Sequence, residues 1–437
     1  MSAPTKNKKI DQVTSDKMIH QVIYLSPLFL SISVLLFTLG AAESFIATLG
    51  PSLALVLSWG SFALSLAIFN IGYRGQLEIL RSFAGRCLMT VGLIAFYLAV
   101  YFEPQFIQGW ILLISPLSLW LTQTPADQWF LYGSLYTLVV ITFGMRAIKR
   151  FWGNRYHLWR TLSLIFFQLC FAFLIPGLLK RAQLPDFYFT YFWPLKPDYF
   201  LPFDYIINQK TGVVSAELNG LSVGRAMLLW GIMMSFIATP ILTYLYGKRW
   251  YCSWVCGCGA LAETFGDTWR RMSPKTHSAW RFERYSVHLI LALTILTTIL
   301  LWVNEFTGRA ILGSDGSQWF WGGYGLWITM IFSGVIGVGF YPLLGPRVWC
   351  RFACPQAAIL GILQRYLSRF QISTNGGQCV SCGECSSHCE MGIDVRAYAQ
   401  EQQVIVRASC VGCGVCATVC PRGVLRLENK NSQSLTP

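Results

Sequence analysis

The chain has 437 residues, of which 54% are hydrophobic and only 12% are charged, and its mean hydropathy is +0.48. A soluble domain usually carries about twice that charged fraction, so the composition excludes an ordinary soluble enzyme and predicts an integral membrane protein. A net charge of +14 is compatible with binding to nucleic acid or to anionic lipid. The positions of the basic residues favour membrane topology instead, and we expect no nucleic-acid partner.

Residues 1–21 are polar and contain lysines but no small-residue cleavage site, so they predict a cytoplasmic tail rather than a signal peptide. Trp110–Leu121 is a further apolar run that contains Pro116 and is too short to span, which predicts an interfacial or re-entrant segment. The sequence therefore predicts an all-α polytopic membrane protein with about eight spans. The predicted spans are 22–40, 53–73, 87–103, 129–145, 161–179, 226–246, 285–303 and 325–344.

Basic residues are concentrated on one side of the predicted spans. Of the 34 Lys and Arg residues, 28 lie before the first span or in the loops that should share its side. Because positively charged loops face the cytoplasm, we expect both termini inside, in a bacterial cytoplasmic (inner) membrane. Residues 22–225 then form a five-span region whose long loop, 182–223, is periplasmic. This loop is too rich in aromatic residues for a free linker. It predicts a packed cap on the helices, the alternatives being the outer leaflet or a partner.

A repeated segment follows in the three-span region 226–370. Residues 247–261 resemble residues 345–359 at an offset of 98 positions, and each copy follows a span at the predicted cytoplasmic face. The repeat pairs Cys252 and Cys256 with Cys350 and Cys354. Cysteines four residues apart share one helix face, so four thiols should meet at the membrane surface. They are candidates for a further metal or cluster site, a redox-active dithiol or a partner contact; the alternative is inert buried cysteines. Cys258, which has no counterpart, could supply an alternative ligand.

The last sixty residues contain the spacing C-x2-C-x2-C-x3-C twice, and Pro421 follows the second copy. This run holds two [4Fe–4S] clusters, and the fourth cysteine of each copy ligates the other cluster. Zinc would not require the doubled run, and disulfides are not expected in a cytoplasmic segment. The expected ligand sets are Cys379, Cys382, Cys385 and Cys420 for cluster 1, and Cys410, Cys413, Cys416 and Cys389 for cluster 2.

These cysteines predict a small α+β bacterial-ferredoxin-like domain at 371–428, followed by a disordered tail at 429–437. Three glycines, Gly383, Gly412 and Gly414, should leave backbone amides free near the clusters. Glu390 stands after Cys389, where the pattern usually has proline, and adds a carboxylate near a cluster.

The motif Cys350–Pro355, its divergent counterpart Cys252–Gly257 and the doubled cysteine run together resemble the membrane polyferredoxins, which include the NapH, NosR and CcoG/FixG groups. The resemblance covers roughly residues 226–428 and leaves the first five spans unexplained. It implies electron transfer between the quinone pool or a cytoplasmic donor and a redox partner protein, a respiratory reductase or its maturation system. The alternative is a CcoG-like assembly factor, which would use its clusters to reduce a metal bound at the C-x3-C pairs. A transporter-like or sensory protein would need polar residues in mid-membrane, and these are scarce.

A quinone site would require proton-accepting groups near the membrane surface. Carboxylates at the predicted span ends are equally well ordinary loop residues, so we assign none of them and predict no catalytic residue. Haem is disfavoured because, of five histidines, His288 alone lies near a span interior. The chain contains no nucleotide-binding motif. The carboxylates considered are Glu43, Glu103, Glu305 and Asp315 on the outer side, and Glu263 and Asp267 on the inner side.

Overall fold

The architecture is mostly helical. A computed structural model describes residues 50, 52–53, 55–57, 59–60, 62, 82–184, 187–200, 217–218, 221–308 and 311–429. The membrane-region helices are α1 Phe83–Phe102, α2 Pro104–Thr122, α3 Gln128–Arg150, α4 Arg155–Arg181, α5 Ala226–Tyr246, α6 Gly257–Glu263, α7 His277–Phe306, α8 Trp319–Ile336 and α9 Pro355–Tyr366. Strand β1 Glu217–Leu218 pairs antiparallel with strand β2 Leu221–Ser222.

Seven of the described helices, α1 to α5, α7 and α8, are long and apolar enough to cross a membrane. Six of them coincide with predicted spans. The predicted span 22–40 and most of 53–73 lie outside the described residues, so the total of eight remains a prediction.

Helix α2 is the seventh candidate, and it covers the run predicted to be interfacial or re-entrant. Pro116 does not break this helix. The expectation that the segment is too short to span was wrong, because the helix has 19 residues. Its neighbours nevertheless place both of its ends on one face. Arg86 in α1 donates to the Met272 sulfur, and Arg150 at the end of α3 pairs with Asp267. Because those ends of α1 and α3 share a face, α2, which joins their opposite ends, begins and ends on the other face.

The basic ends of the helices and the cysteine-rich domain lie on the same face. His157 in the first turn of α4 hydrogen-bonds to Thr418 of the cysteine-rich domain (2.8 Å), and Asn154 lies 3.3 Å from the same hydroxyl. The charge pattern predicts that this face is cytoplasmic, and that orientation remains a prediction.

The described part of the aromatic loop, residues 187–200, packs between helices, as expected for a packed cap. Trp193 donates its indole N–H to Thr298 of α7 (3.1 Å) and stacks on Phe236 of α5. Tyr251 donates its hydroxyl to the Thr190 carbonyl (2.8 Å). The loop thus reaches the first cysteine repeat from the opposite side of the membrane domain.

The sequence repeat is also a structural repeat. A spanning helix with a π-helical stretch leads to a glycine with positive φ, Gly247 (69°) in one copy and Gly345 (84°) in the other. A short helix then follows, Arg249–Cys252 or Val348–Phe352. The second cysteine of each motif, Cys256 or Cys354, stands at the N-cap of the next helix, α6 or α9.

The C-terminal domain is a compact α+β unit. Strands β3 Phe370–Thr374 and β4 Leu425–Asn429 pair antiparallel, with Ile372 opposite Leu427. Both of these side chains are buried in one core with Phe370, Ile405 and several cysteines. The helices of the domain are short: α10 Glu384–Ser387, α11 Val395–Gln400 and α12 Val415–Thr418.

Buried polar contacts join this domain to the membrane helices. Glu283 of α7 accepts from Arg351 Nε (2.7 Å) and from the Ser409 hydroxyl. Gln364 of α9 donates to the carbonyl oxygens of Arg407 (2.8 Å) and Cys410 (2.9 Å). The domain is therefore docked through specific hydrogen bonds, in addition to its chain connection.

Glu283→Ala should loosen this docking, because it leaves the buried Arg351 guanidinium without its carboxylate. Removing one partner of a buried pair costs about 3–5 kcal/mol. Hydrogen exchange should show faster exchange at residues 407–411, with a lower unfolding temperature. Glu401→Ala, at an exposed position, is the matched control and should change neither. Unchanged exchange at 407–411 in the Glu283 variant would contradict the assigned role.

Candidate functional site

Four of the predicted ligands line one cavity near the surface of the C-terminal domain. The cavity contains about 360 Å³ of empty space. Cys382 is exposed and Cys385 is buried. The Gln400 amide donates to the Ser381 hydroxyl (2.7 Å), which fixes the loop between the first two cysteines. The thiols that line it are Cys379, Cys382, Cys385 and Cys420, the set expected for cluster 1.

The other four predicted ligands line a second cavity, of about 400 Å³. Burial raises the pKa of Cys410 to about 11 and that of Cys413 to about 12. Charge on these sulfurs therefore needs nearby cations, which a bound metal centre would supply. Apolar residues such as Ile372 and Met391 complete the lining. The thiols are Cys389, Cys410, Cys413 and Cys416, the set expected for cluster 2.

Glycines allow the loop of the second cavity to press against the membrane domain. Gly412 (φ 64°) and Gly414 (φ 79°) have left-handed backbone that favours glycine. A Cβ on Gly414 would lie 2.9 Å from a ring carbon of Tyr156, and one on Gly412 would lie 2.9 Å from the Cβ of Arg249. The Tyr156 hydroxyl donates to the Gly412 carbonyl (2.6 Å). The second cavity is thus held against the membrane helices, whereas the first faces solvent.

A buried ionic network lies beside the second cavity, and Glu263 and Glu390 are its two central carboxylates. Glu263 accepts from Arg160, Arg270 and Arg347, each at 2.8 Å. Burial disfavours the Glu263 carboxylate, but the three guanidinium groups together lower its pKa well below the usual range. Glu263, which from the sequence could equally be an ordinary loop residue, lies at the centre of the network.

Glu390 belongs to the same network. Its oxygens lie 3.0 Å from Arg270 Nη1 and 3.0 Å from Arg347 Nη2, ionic contacts that lack hydrogen-bond geometry. Burial raises the pKa of Glu390. The carboxylate expected near a cluster therefore lies beside the second cavity, whose lining includes Glu390, and it faces cations rather than solvent.

The two central arginines each reach a thiol. Arg270 Nη1 lies 3.9 Å from Cys413 Sγ, and Arg347 Nη1 lies 4.0 Å from Cys350 Sγ. Arg347 Nη1 also donates to the Cys252 carbonyl (3.0 Å). The network therefore connects the second cavity of the C-terminal domain with the cysteines of the membrane repeat.

The repeat cysteines lie deeper than expected. Tyr136 donates its hydroxyl to the carbonyl of Gly257, between Cys256 and Cys258 (2.8 Å). Gln168 of α4 donates to the Val255 carbonyl (2.8 Å). Tyr136 is fourteen residues before the end of α3 at Arg150, which is about 21 Å at 1.5 Å per residue. The loop with Cys256 and Cys258 therefore lies beside the middle of two helices long enough to span a membrane, deeper than the membrane surface at which the thiols were predicted.

The four repeat thiols converge without forming a single-ion site. Cys252, Cys256, Cys350 and Cys354 lie close enough to interact electrostatically with one another. A tetrahedral zinc ion, with Zn–S bonds of about 2.3 Å, would hold its sulfurs roughly 3.8 Å apart. Among the described residues, no three cysteine sulfurs lie within 4.8 Å of one another. The same holds for both cavities of the C-terminal domain, so none of the three thiol sets has the spacing of a tetrahedral zinc site.

Some polar residues near the repeat thiols were not predicted from the sequence. Gln168 and Tyr136 occur within apolar runs, where a polar side chain is a signal in itself. Gln356 is buried and has no hydrogen-bond partner for either of its amide atoms. Of the other carboxylates considered, Asp267 pairs with Arg150 and Arg270, and Glu103 accepts from Gln105. Glu43 lies outside the described residues.

Two family models match the chain. One is described as a 4Fe-4S binding domain and matches twice, at residues 228–276 and 326–373. The starts of the two matches are 98 residues apart, the same offset as the repeat. The other is described as a 4Fe-4S dicluster domain and matches residues 371–421. Iron–sulfur binding is thus supported for the C-terminal domain and for both repeat segments.

Three relatives are similar in sequence. "Putative electron transport protein YccM" of Escherichia coli (strain K12) is 26% identical over 213 residues, 47% of this chain and 56% of the relative. "Methylamine utilization ferredoxin-type protein MauN" of Methylobacillus flagellatus is 27% identical over 150 residues, 33% of this chain and 50% of the relative. "Ferredoxin-type protein NapH" of Escherichia coli (strain K12) is 26% identical over 180 residues, 39% of this chain and 58% of the relative.

The chain thus spans about half the length of each of these relatives. No solved structure shows significant similarity to it. The two cavities with four thiols each, the apolar helices, the family models and the ferredoxin-type relatives agree with one another. Together they show that the chain is similar to the membrane polyferredoxins.

Proposed function

We propose that the protein passes single electrons between a soluble carrier at its cytoplasmic face and the quinone pool, as a subunit of a respiratory reductase or of its maturation system. The observation that carries this proposal is the sequence of three thiol sites from the surface inward. The first cavity faces solvent, the second faces the ionic network, and the repeat loop that contains Cys256 lies beside the middle of α3 and α4. Each successive site is further from solvent, as a path into a membrane requires.

The chain's own residues would hold two [4Fe–4S] clusters by the crossed ligation expected from the spacing. Such clusters supply one-electron acceptors whose potentials depend on nearby charge, hydrogen bonds and exposure. Cys416 of the second cavity interacts electrostatically with Cys385 of the first. This proximity favours electron exchange between the two sites. Arg270 and the surrounding network exclude water from the second site and set its charge.

The repeat thiols are proposed to hold a further iron–sulfur centre. Their separation is not that of a tetrahedral zinc site, and the family model for both segments is described as 4Fe-4S binding. Cys258 packs against the buried cluster that contains Cys350 and Cys354 and would be an alternative ligand. A centre at this depth would lie within reach of a quinone in the bilayer, which gives the membrane region a role in the reaction.

The second candidate is the metal-handling assembly factor, in which the repeat thiols bind a metal such as copper and the two clusters reduce it. The convergence of the thiols supports this reading as well, since soft thiolates select Cu(I). Binding of one ion by three or four of these thiols would require them to move together, because among the described residues no three cysteine sulfurs lie within 4.8 Å of one another.

Crossed ligation predicts which substitutions should act alike. Cys420→Ala should remove the same cluster signal in EPR as Cys382→Ala, although position 420 belongs to the other sequence run. Cys413→Ala should remove the other signal. Each substitution should lower the iron content by about four atoms per chain, the share of one cluster. Loss of the same signal in the Cys420 and Cys413 variants would contradict crossed ligation.

The charge of Arg270 should raise the reduction potential of the second site. At about 8 Å from the cluster centre and an effective dielectric constant near 20, one positive charge contributes about 2 kcal/mol. For a one-electron couple this corresponds to roughly 90 mV. Arg270→Gln should therefore lower the potential of that cluster by on the order of 50–100 mV in an EPR-monitored titration.

The first cluster is an internal reference in that titration and should shift much less. Arg270→Lys keeps the charge and should restore most of the potential even if stability is lower. Equal potentials in the Gln and Lys variants would show that charge at this position is not the cause.

Removing the four repeat thiols tests the third site. Wild type should contain about twelve iron atoms per chain, and the variant with alanine at positions 252, 256, 350 and 354 about eight. Reduction of the remaining clusters by a quinol should be lost in the variant. About eight iron atoms in both proteins would reject a third cubane. Copper binding by the wild type, with quinol oxidation unchanged in the variant, would favour the assembly factor.

A further inference from the structure

We propose that the exposed edge of the first cavity is the docking surface for a small, acidic, soluble electron-carrier protein. This inference rests on the proposed function, because it requires a redox centre in that cavity. It adds where the soluble partner binds and what charge that partner carries.

The edge of the first cavity is exposed to solvent. Cys382 is exposed, and Val380 beside it is an apolar side chain with 54% of its surface accessible. Ser381 between them and Pro421 next to Cys420 are exposed as well. The second cavity presents no comparable edge, since Cys410 and Cys416 are buried and its loop contacts Tyr156 and Arg249. A soluble protein would therefore approach the first site more closely than the second.

The edge of the first cavity is also positively charged. The charged side chains that line the first cavity are Arg396 and Arg422, and both are exposed. Within the described part of the chain, neither makes an ion pair. The domain is not basic as a whole, because residues 371–429 contain four arginines and five carboxylates. The cations are thus concentrated at the edge of this cavity.

Three of the five carboxylates of the domain, Glu384, Glu390 and Asp394, are engaged in other contacts. Glu390 is buried against Arg270 and Arg347, and Glu384 lies 3.3 Å from Arg271. Asp394 caps α11 and accepts from the Ser386 hydroxyl (2.7 Å). Among the described residues, no carboxylate forms an ion pair with Arg396 or Arg422 at the edge of the first cavity.

A polar groove extends this surface. It contains about 1250 Å³ of empty space, open to solvent, and shares Arg422, Val424 and Leu425 with the first cavity. Arg426 adds a third exposed arginine to its lining, against one carboxylate, Glu428. The groove offers room for the acidic side chains of a partner next to the cluster edge. Transient redox complexes use such small, charged interfaces.

Charges at the rim of an interface act mainly on the association rate and its salt dependence. Electrostatic steering of this kind raises association rates by about 10- to 1,000-fold. The alternative explanation is that Arg396 and Arg422 only balance the negative charge of a cluster. That role would change the reduction potential of the first cluster and would not depend on the charge of the partner.

The test uses the full chain in nanodiscs, the Arg396→Glu/Arg422→Glu double variant and, as control, Arg365→Glu, which reverses an exposed charge on α9. Binding of an oxidised acidic [2Fe–2S] ferredoxin is measured by biolayer interferometry at several salt concentrations. The double variant should bind at least about tenfold more weakly at low salt, and the difference should shrink at high salt. The control should bind within about twofold of wild type.

A basic c-type cytochrome serves as the opposite probe and should bind the double variant more tightly than wild type. The potential and EPR signal of the first cluster are recorded for every variant. Equal losses of ferredoxin binding in the double variant and the control would overturn the proposal. Unchanged binding with a shifted potential would also overturn it and would assign the arginines to cluster charge alone. Absence of iron–sulfur signals in wild type would instead refute the proposed function.

Discussion

The structure depends on one buried ionic network between the membrane helices and the cysteine-rich domain. Glu263 receives three guanidinium groups, and Glu390 lies against two of the same arginines. Charges removed from water are costly unless they are paired, so each member depends on the others being in place. Arg160 comes from α4, Glu263 from α6, Arg347 from the second repeat and Glu390 from the C-terminal domain. The network can therefore form only when the four parts of the chain are assembled together.

The local parts of the candidate site could be predicted from the cysteine spacing, because C-x2-C-x2-C is a pattern of a few consecutive residues; that these thiols ligate clusters stays a prediction. Each thiol set expected from the sequence lines one cavity. The offset repeat was predictable for the same reason, and Gly247 and Gly345 mark the same turn in both copies. Six predicted spans likewise coincide with described helices, since the length and apolarity of a span are also read locally.

The network and the depth of the repeat thiols were not predictable in this way. Arg160 and Glu263 are 103 residues apart, and Arg347 and Glu263 are 84 apart. Nothing in the residues around Glu263 distinguishes it from an ordinary carboxylate near a helix end. The thiols were placed at the surface because they follow a span. The chain in fact turns back along α3, so that Gly257 meets Tyr136 while Asp267 meets Arg150. Only the packing of distant helices shows this.

The position of the arginines explains why such a costly network is used where apolar side chains could fill the same space. Replacing a buried ion network by well-packed hydrophobic residues is often neutral or stabilising, so stability alone does not account for it. Apolar residues, however, could not hold a cation 3.9 Å from Cys413 and another 4.0 Å from Cys350. Because Glu390 contacts both guanidinium groups, the distance between these two thiols is fixed by the same contacts that set the charge beside each of them. The network thereby fixes both the relative positions of Cys413 and Cys350 and the positive charge beside each of them.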